Sequence, residues 1–350
     1  ATTSPYNAIY GLLQGLTVMQ HTSWGTDKSR LNVRGRGSLN GDTPLFVVDG
    51  FARPIEYINL SEIESISVLK DGAATALWGG RGANGVVLIT TKRGMYSKKE
   101  IKVDYKFGLG LPVNQPEFAD AYTYAKARNE ALRYDGLQPD MDEASFLAGG
   151  NSDLYPNVDW QKEALRNHTT SHQLDITFRG GGKRLRYFSV LNYKNDMGLL
   201  NSKYTDYTDR YNSQMKKYFL NLRMNLDVDI TDATKLKLNM LGMLRETKRP
   251  TTSEATLFEQ IFNTPSAAFP VQTQNGLWGS NNVLKTNPIA NLADVGYYKL
   301  NQRMLQADLR LIQDLSVLTR GLSAELAIAY DNNATYQETA KKSFMYQTIE

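Results

Sequence analysis

Beyond residue 100 the side chains alternate between apolar and polar over stretches of about ten residues, a pattern few folds can accept. Ile101, Val103, Tyr105, Phe107 and Leu109 alternate with Lys102, Asp104, Lys106 and Gly108. Tyr218, Leu220, Leu222, Met224, Leu226 and Val228 repeat this against Lys217, Asn221, Arg223, Asn225, Asp227 and Asp229. Leu305 to Leu311 and Leu322 to Ile328 do the same, and 174–178, 185–193 and 236–244 follow the period less strictly. In a strand successive side chains point to opposite faces, so each segment has one apolar and one charged face. Ten-residue strands with a polar inner face mark a transmembrane β-barrel. A soluble sandwich also alternates, so period alone leaves both open.

The connections separate the two. In chain order they are long (110–171), short (180–183), long (195–215), short (231–234), long (246–300) and short (313–320). Outer-membrane barrels pair short periplasmic turns with longer extracellular loops, whereas a Greek-key sandwich has no reason for that rhythm. If the short turns are periplasmic, the first strand rises from the periplasm directly after the N-terminal segment.

Composition agrees. Hydrophobic residues make up 41% of the 350, with no apolar run of 18, so a helical membrane span is excluded. There is no cysteine, hence no disulfide, thiolate metal site or cysteine nucleophile. A net charge of +4, with acids and bases interspersed, argues against nucleic acid as partner. The 20 tyrosines suit the aromatic girdles of a barrel in lipid. The first residues, ATTSPYNAIY, have no charged n-region or apolar h-region, so any export signal is expected to have been removed or to lie outside this sequence.

The N-terminal segment has a different grammar. Leu45–Val48 and Val86–Thr91 are apolar, β-branched runs bounded by Gly, Pro and Asp, and Ser65–Leu69 is a third expected strand. Asp71 precedes Gly72–Leu77, where its carboxylate is expected to cap a short helix that Gly79, Gly80 and Gly82 end. The glycines from Gly79 to Gly85 read as tight turns, since they close a helix and no Gly-Lys-Ser/Thr follows to cradle phosphate. Arg34 and Arg36, near Asp42 and Asp49, read as an internal ion-pair set or as an anion-binding patch.

Four blocks of this segment, VRGRGSLNG (Val33–Gly41), PLFVVDG (Pro44–Gly50), IESISVLKDGAATALWG (Ile63–Gly79) and RGANGVVLITTKRG (Arg81–Gly94), closely resemble the plug of SusC/RagA-type TonB-linked outer-membrane transporters. Arg34, Gly35, Asp49, Gly50, Asp71, Gly79, Gly82, Asn84 and Gly85 form its structural signature here. The resemblance continues through TYAKARNEALRYDG, YPNVDWQKEALR and the strands up to about Leu244. It implies a membrane β-barrel, antiparallel and of about 22 strands when complete, with an α+β plug in the lumen.

Seven strands are expected here, near 101–109, 172–179, 184–194, 216–230, 235–245, 301–312 and 321–332, after a plug over 1–95. A globule of ~95 residues is about 25–30 Å across, which seven strands cannot enclose, and single-chain barrels have even strand counts. The expectation is therefore an N-terminal portion of a larger barrel, without a recognisable TonB-contact segment.

Several sites invite chemistry. His168 and His172 lack a third ligand, and Asp140, Asp142 and Glu143 lack the glycine and spacing of a calcium loop, so no metal or other cofactor is expected, calcium in an extracellular loop being the remaining possibility. Residues 117–133 read as a loop helix with Tyr122, Ala125, Asn129 and Leu132 on one face. No catalytic constellation stands out, so no enzyme is expected. Ligand contacts are expected from the plug tip, at Arg36, Ser38, Asn40 and Asp42, then from Phe51 and Arg53, with Tyr155 and Trp160 stacking on sugar rings.

The resemblance further implies import of oligosaccharides or peptides across the outer membrane of Bacteroidetes-type bacteria. Its partners would be a SusD-like surface lipoprotein acting as lid, the TonB–ExbB–ExbD complex and outer-membrane lipids, with a possible dimer of transporter–lipoprotein pairs. The alternatives are a structural or secretion-associated component of an outer-membrane complex, and a soluble β-rich enzyme.

Overall fold

A computed structural model of the chain describes residues 16–19, 30–33, 43–96, 99–113, 115–149, 151–205 and 213–349. Seven antiparallel strands form one continuous sheet: β7 (Lys99–Gly110), β8 (Thr169–Gly181), β9 (Leu185–Met197), β10 (Lys216–Asp229), β11 (Thr234–Pro250), β13 (Gly296–Asp314) and β14 (Ser323–Lys341). Each pairs with its neighbour in that order, so β7 and β14 are the edges and the sheet is open. A two-stranded unit, β1 (Leu16–Met19) with β2 (Arg30–Val33), precedes it.

The register explains the two faces. In β10, Asn221, Arg223, Asn225 and Asp227 are buried on the concave side, while Leu220 and Leu222 point outward and stay exposed. Across the ladder Leu222 meets Gly242 and Leu191 on the outward face. In β13, Gln306 and Asp308 are buried inward and Leu305 and Leu311 are exposed outward. Buried polar and exposed apolar residues invert a soluble protein's pattern and fit a wall with lipid outside. No helix among the described residues is long and apolar enough to cross a membrane.

The concave side holds a smaller four-stranded sheet in the order β4-β3-β6-β5. Its strands are β3 (Leu45–Val48), β4 (Phe51–Ala52), β5 (Ile63–Leu69) and β6 (Val86–Thr91). β3 runs parallel to β6, and β5 runs antiparallel to it. Phe46, Val48, Ile55, Ile58, Val87 and Ile89 form its core. Asp49 and Gly50 take φ of 49° and 93° and turn β3 directly into β4, the conformation a two-residue primed hairpin demands.

One expectation fails locally. Helix α1 (Gly72–Thr75) does start after Asp71, but the Asp71 side chain makes no capping hydrogen bond. The helix is one turn long and passes straight into a 3-10 segment, Ala76–Gly82, kinked at Gly79 with φ 55°. Gly82 is needed there for space, since a Cβ would stand 2.9 Å from the Thr75 carbonyl oxygen.

The long connections fold on one another. They contain α2 (Ala121–Tyr134), α3 (Glu143–Ala148), α4 (Trp160–Ala164), α5 (Ser202–Thr205), α6 (Glu254–Asn263) and α7 (Pro288–Ala293). A parallel pair, β12 (Trp278–Ser280) with β15 (Tyr346–Thr348), joins them. Trp160, Leu165, Leu200, Leu257, Ile261, Phe269 and Leu292 share one apolar core. Backbone bonds staple three loops together: Val158 N–H donates to Ser266 O at 3.0 Å and Arg166 N–H to Leu199 O at 2.7 Å.

Candidate functional site

The site is the seam where the small sheet meets the wall. Strand β10 delivers an asparagine, aspartate or arginine at every second position on the concave face, from Asn221 to Asp227, and the small domain presents loop carbonyls and charges to them. Glu62, in the 3-10 turn Leu60–Glu62, is fully buried; its Oε2 accepts from Arg223 Nε at 2.6 Å and its Oε1 from Asn221 Nδ2 at 2.7 Å. Asn221 also donates to Tyr57 O at 3.1 Å. Asn225 donates to Thr91 Oγ1 and Lys92 O, each at 2.8 Å, and Asn192 to Ser61 Oγ at 3.1 Å.

Charge continues the seam at both ends. Arg93 pairs with Asp227 at 3.2 Å, and Arg179 donates to Arg93 O at 2.6 Å. Arg53 is clamped by Asp308 at 2.6 Å and Asp331 at 2.8 Å. Arg310 reaches the Asp49 carbonyl at 3.1 Å, and Asp49 in turn accepts from Thr91 N–H and Thr91 Oγ1 at 3.0 and 2.6 Å. Tyr57 adds the seam's main apolar contact, against Leu241, Met243 and Met304.

This arrangement holds without fusing. Among the described residues polar contacts dominate the seam, with one apolar cluster at Tyr57, Leu241, Met243 and Met304, and hydrogen bonds between such surfaces exchange for water when the surfaces part. The contrast is with the small sheet's own apolar core, which has no polar substitute and keeps the domain intact.

The expected ligand residues fare differently. Arg34, Gly35, Arg36, Ser38, Asn40 and Asp42 lie outside the described residues. Arg53 is not presented to a ligand: it is 5% exposed and engaged with two wall carboxylates, while Phe51 beside it lies under its guanidinium at 5.2 Å. Trp160 is likewise buried, its Nε1 donating to Pro265 O at 3.0 Å, so it builds the loop core and offers no stacking face. Tyr155 is half-buried, edge-on to Phe146. Gly85 takes φ of 91°, and its carbonyl accepts from Leu45 N–H beside Asn84.

The carboxylates weighed for calcium are held by protein donors. Asp140 accepts three hydrogen bonds from Arg128, Asp142 caps α3 through Ala144 and Ser145 N–H, and Glu143 accepts from Asn129. Among the described residues no group of three His, Asp or Glu is placed to hold a metal. His172 faces outward, its Nδ1 2.8 Å from the Tyr105 hydroxyl.

The TonB-dependent receptor plug domain family matches residues 1–86. The TonB-dependent receptor P3 of Formosa agariphila is 31% identical over 260 residues, 73% of this chain and 22% of its own length. SusC of Bacteroides thetaiotaomicron, a TonB-dependent receptor, is 30% identical over 215 residues, 57% of this chain and 20% of its own. The chain belongs to the SusC/RagA-type TonB-dependent receptors. It spans about a fifth of the length of the curated relatives it matches. The RagAB peptide importer in its closed-closed state superimposes at a TM-score of 0.75 and 20% identity, over 99% of this chain and 41% of that one, and so shares the fold. In a receptor of this type the small sheet is the plug and the seven strands are barrel wall.

The seam was only half visible in the sequence. Polar residues at every second position of β10 mark an inner face, yet nothing in the pattern assigns Glu62 or Arg53 a wall partner. The Asp49-Gly50 pair between two apolar runs was the one overlooked local signal, since Asp-Gly at such a place marks a hairpin.

Proposed function

We propose that this chain is the gate and first wall of an outer-membrane importer that takes up oligosaccharides or peptides by TonB-driven displacement of the plug. The observation that carries the reading is the seam: a domain with its own apolar core, seated on an apolar-backed wall through hydrogen bonds and ion pairs. A pull on the plug from the periplasm would exchange those bonds for water and open the lumen. Its relatives among the TonB-dependent receptors support energy coupling, and the likeness to the RagAB peptide importer supports a large nutrient as cargo.

The TonB–ExbB–ExbD complex is the force source in this reading, and a SusD-like surface lipoprotein is the lid over the loop cap. The plug extends over about residues 1–95 and the wall begins at β7. Long loops face outward and the plug enters from the periplasm, because the short turns 182–184, 230–233 and 315–322 all lie at the end where Arg93 and Asp49 meet the wall.

Deleting the gene for the full transporter and measuring uptake across a panel of glycans and peptides tests this. Loss of uptake for one class identifies the cargo; unchanged uptake throughout favours a structural or secretion-associated role instead.

A further inference from the structure

The wall carries a feature that plug gating does not use. Along β13 the outward residues run Gln313, Leu311, Leu309, Ala307, Leu305, Arg303, Asn301 and Lys299. From Gln313 to Arg303 is ten residues; at roughly 3.3 Å per residue and a tilt near 40°, they rise about 25 Å, the height of a barrel's apolar band. Arg303 therefore stands where the outer leaflet's hydrocarbon ends and its headgroups begin.

Arg303 is exposed and makes no ion pair among the described residues. Its register partner across β13 and β14 is Ala334, a side chain too small to fill the space, and Asn301 faces Tyr336 one row above. The result is a groove of about 380 Å³ lined by Asn301, Arg303, Ala334, Thr335 and Tyr336. On the next outward row Lys299 and Lys248 stand directly opposite each other, Lys248 lying 5.5 Å from the centre of the Tyr297 ring. Two carboxylates lie near: Glu246, bonded to Lys299 at 3.1 Å, and Glu338, which accepts from the Tyr297 hydroxyl. Glu246 thus offsets Lys299 and the Tyr297 ring faces Lys248, while Arg303 makes no ion pair among the described residues.

We infer that this groove binds the phosphate-bearing sugar headgroup of an anionic glycolipid of the outer leaflet. The Arg303 guanidinium offers a planar fork for phosphate oxygens, Asn301 supplies amide donors, and the Tyr336 ring gives an apolar flank for a sugar. A zwitterionic headgroup would meet the same cations without net attraction. The inference rests on the outer-membrane reading above.

The test uses the full transporter, purified in detergent, with bisphosphorylated lipid A as probe and its dephosphorylated form and inorganic phosphate as the other arms. Retained lipid is counted by native mass spectrometry. Wild type is expected to hold bisphosphorylated lipid A, to release it on dephosphorylation and to ignore millimolar inorganic phosphate. Arg303→Gln should weaken retention about fivefold, the effect of removing one interfacial cation, and Arg303→Lys should recover part of it. A heat-modifiability gel checks that each variant is folded. Equal retention by folded wild type and Arg303→Gln overturns the site, as does displacement by inorganic phosphate alone. Recovery of the transporter outside the outer-membrane fraction would instead sink the membrane reading.

Discussion

Glu62 of the plug and Arg223 of the wall meet at 2.6 Å with side chains 0% and 3% exposed, a charge pair sealed inside the seam. Removing one member of such a pair strands the other in low dielectric, which costs about 3–5 kcal/mol, whereas replacing both with matched apolar residues costs far less. Glu62→Ala and Arg223→Ala should each lower the full transporter's denaturation midpoint strongly, and Glu62→Leu with Arg223→Met should recover most of it. Chemical denaturation of the three variants measures this; additive losses in the double variant would mean that the pair does not act as a unit.

Arg53 makes a second, asymmetric test. Of its two carboxylates Asp308 is 1% exposed and Asp331 43% exposed. Solvent screens the second, so Asp331→Asn should cost no more than about 1 kcal/mol, while Asp308→Asn should cost several times that. Asp308 also accepts from Asn239 at 2.6 Å, which widens the gap. Equal melting temperatures for the two variants would remove the clamp from the account.

Gly94 ends the plug against the wall. A Cβ there would lie 2.3 Å from Tyr187 N and 2.7 Å from the Arg186 carbonyl carbon, both backbone. Gly94→Ala must push the tether off β9, an overpacking cost of about 1–3 kcal/mol. Limited proteolysis of the plug checks it, with faster cleavage expected in the variant at unchanged barrel resistance.

Acid should loosen the long loop between β7 and β8. Arg128 holds the Asp140 carboxyl below its ordinary value of 3.8, and Ser145 does the same for Asp142 at the start of α3. A group depressed in the folded state stabilises above its unfolded pKa and loses that contribution as pH falls through its folded value. Protection factors from hydrogen exchange over 121–148, which remove the intrinsic pH dependence of amide exchange, should therefore be high at pH 7 and fall as pH drops below 3.8, with Arg128→Gln already less protected at pH 7.

The wall was legible because lipid outside and water or plug inside force strict alternation on β7 and β10. The pattern blurred in β11 for a physical reason: Leu241 and Met243 face inward, yet pack on Tyr57 of the plug, so the inner face is apolar there. Strands also outrun the alternating segments. β13 and β14 are each 19 residues long, and beyond Arg303 the outward residues of β13 are Asn301, Lys299 and Tyr297. Asp71 misled because its place before a helix was right, but a single turn offers too little for a cap to decide. The loop core was invisible, since Trp160, Phe269 and Leu292 come from segments far apart in sequence and share no period.

Locking the plug to the wall tests the central claim most directly. Glu64 and Arg179 stand 3.7 Å apart across the seam, Glu64 half exposed to reagent, and the 350 residues contain no cysteine. In the full transporter, Glu64→Cys with Arg179→Cys, joined by a reducible bismaleimide, should leave ligand binding intact and abolish uptake of the cargo that the deletion panel identifies. Reduction of the linker should restore it. Uptake persisting at complete cross-linking would contradict a gate that opens by leaving this seam.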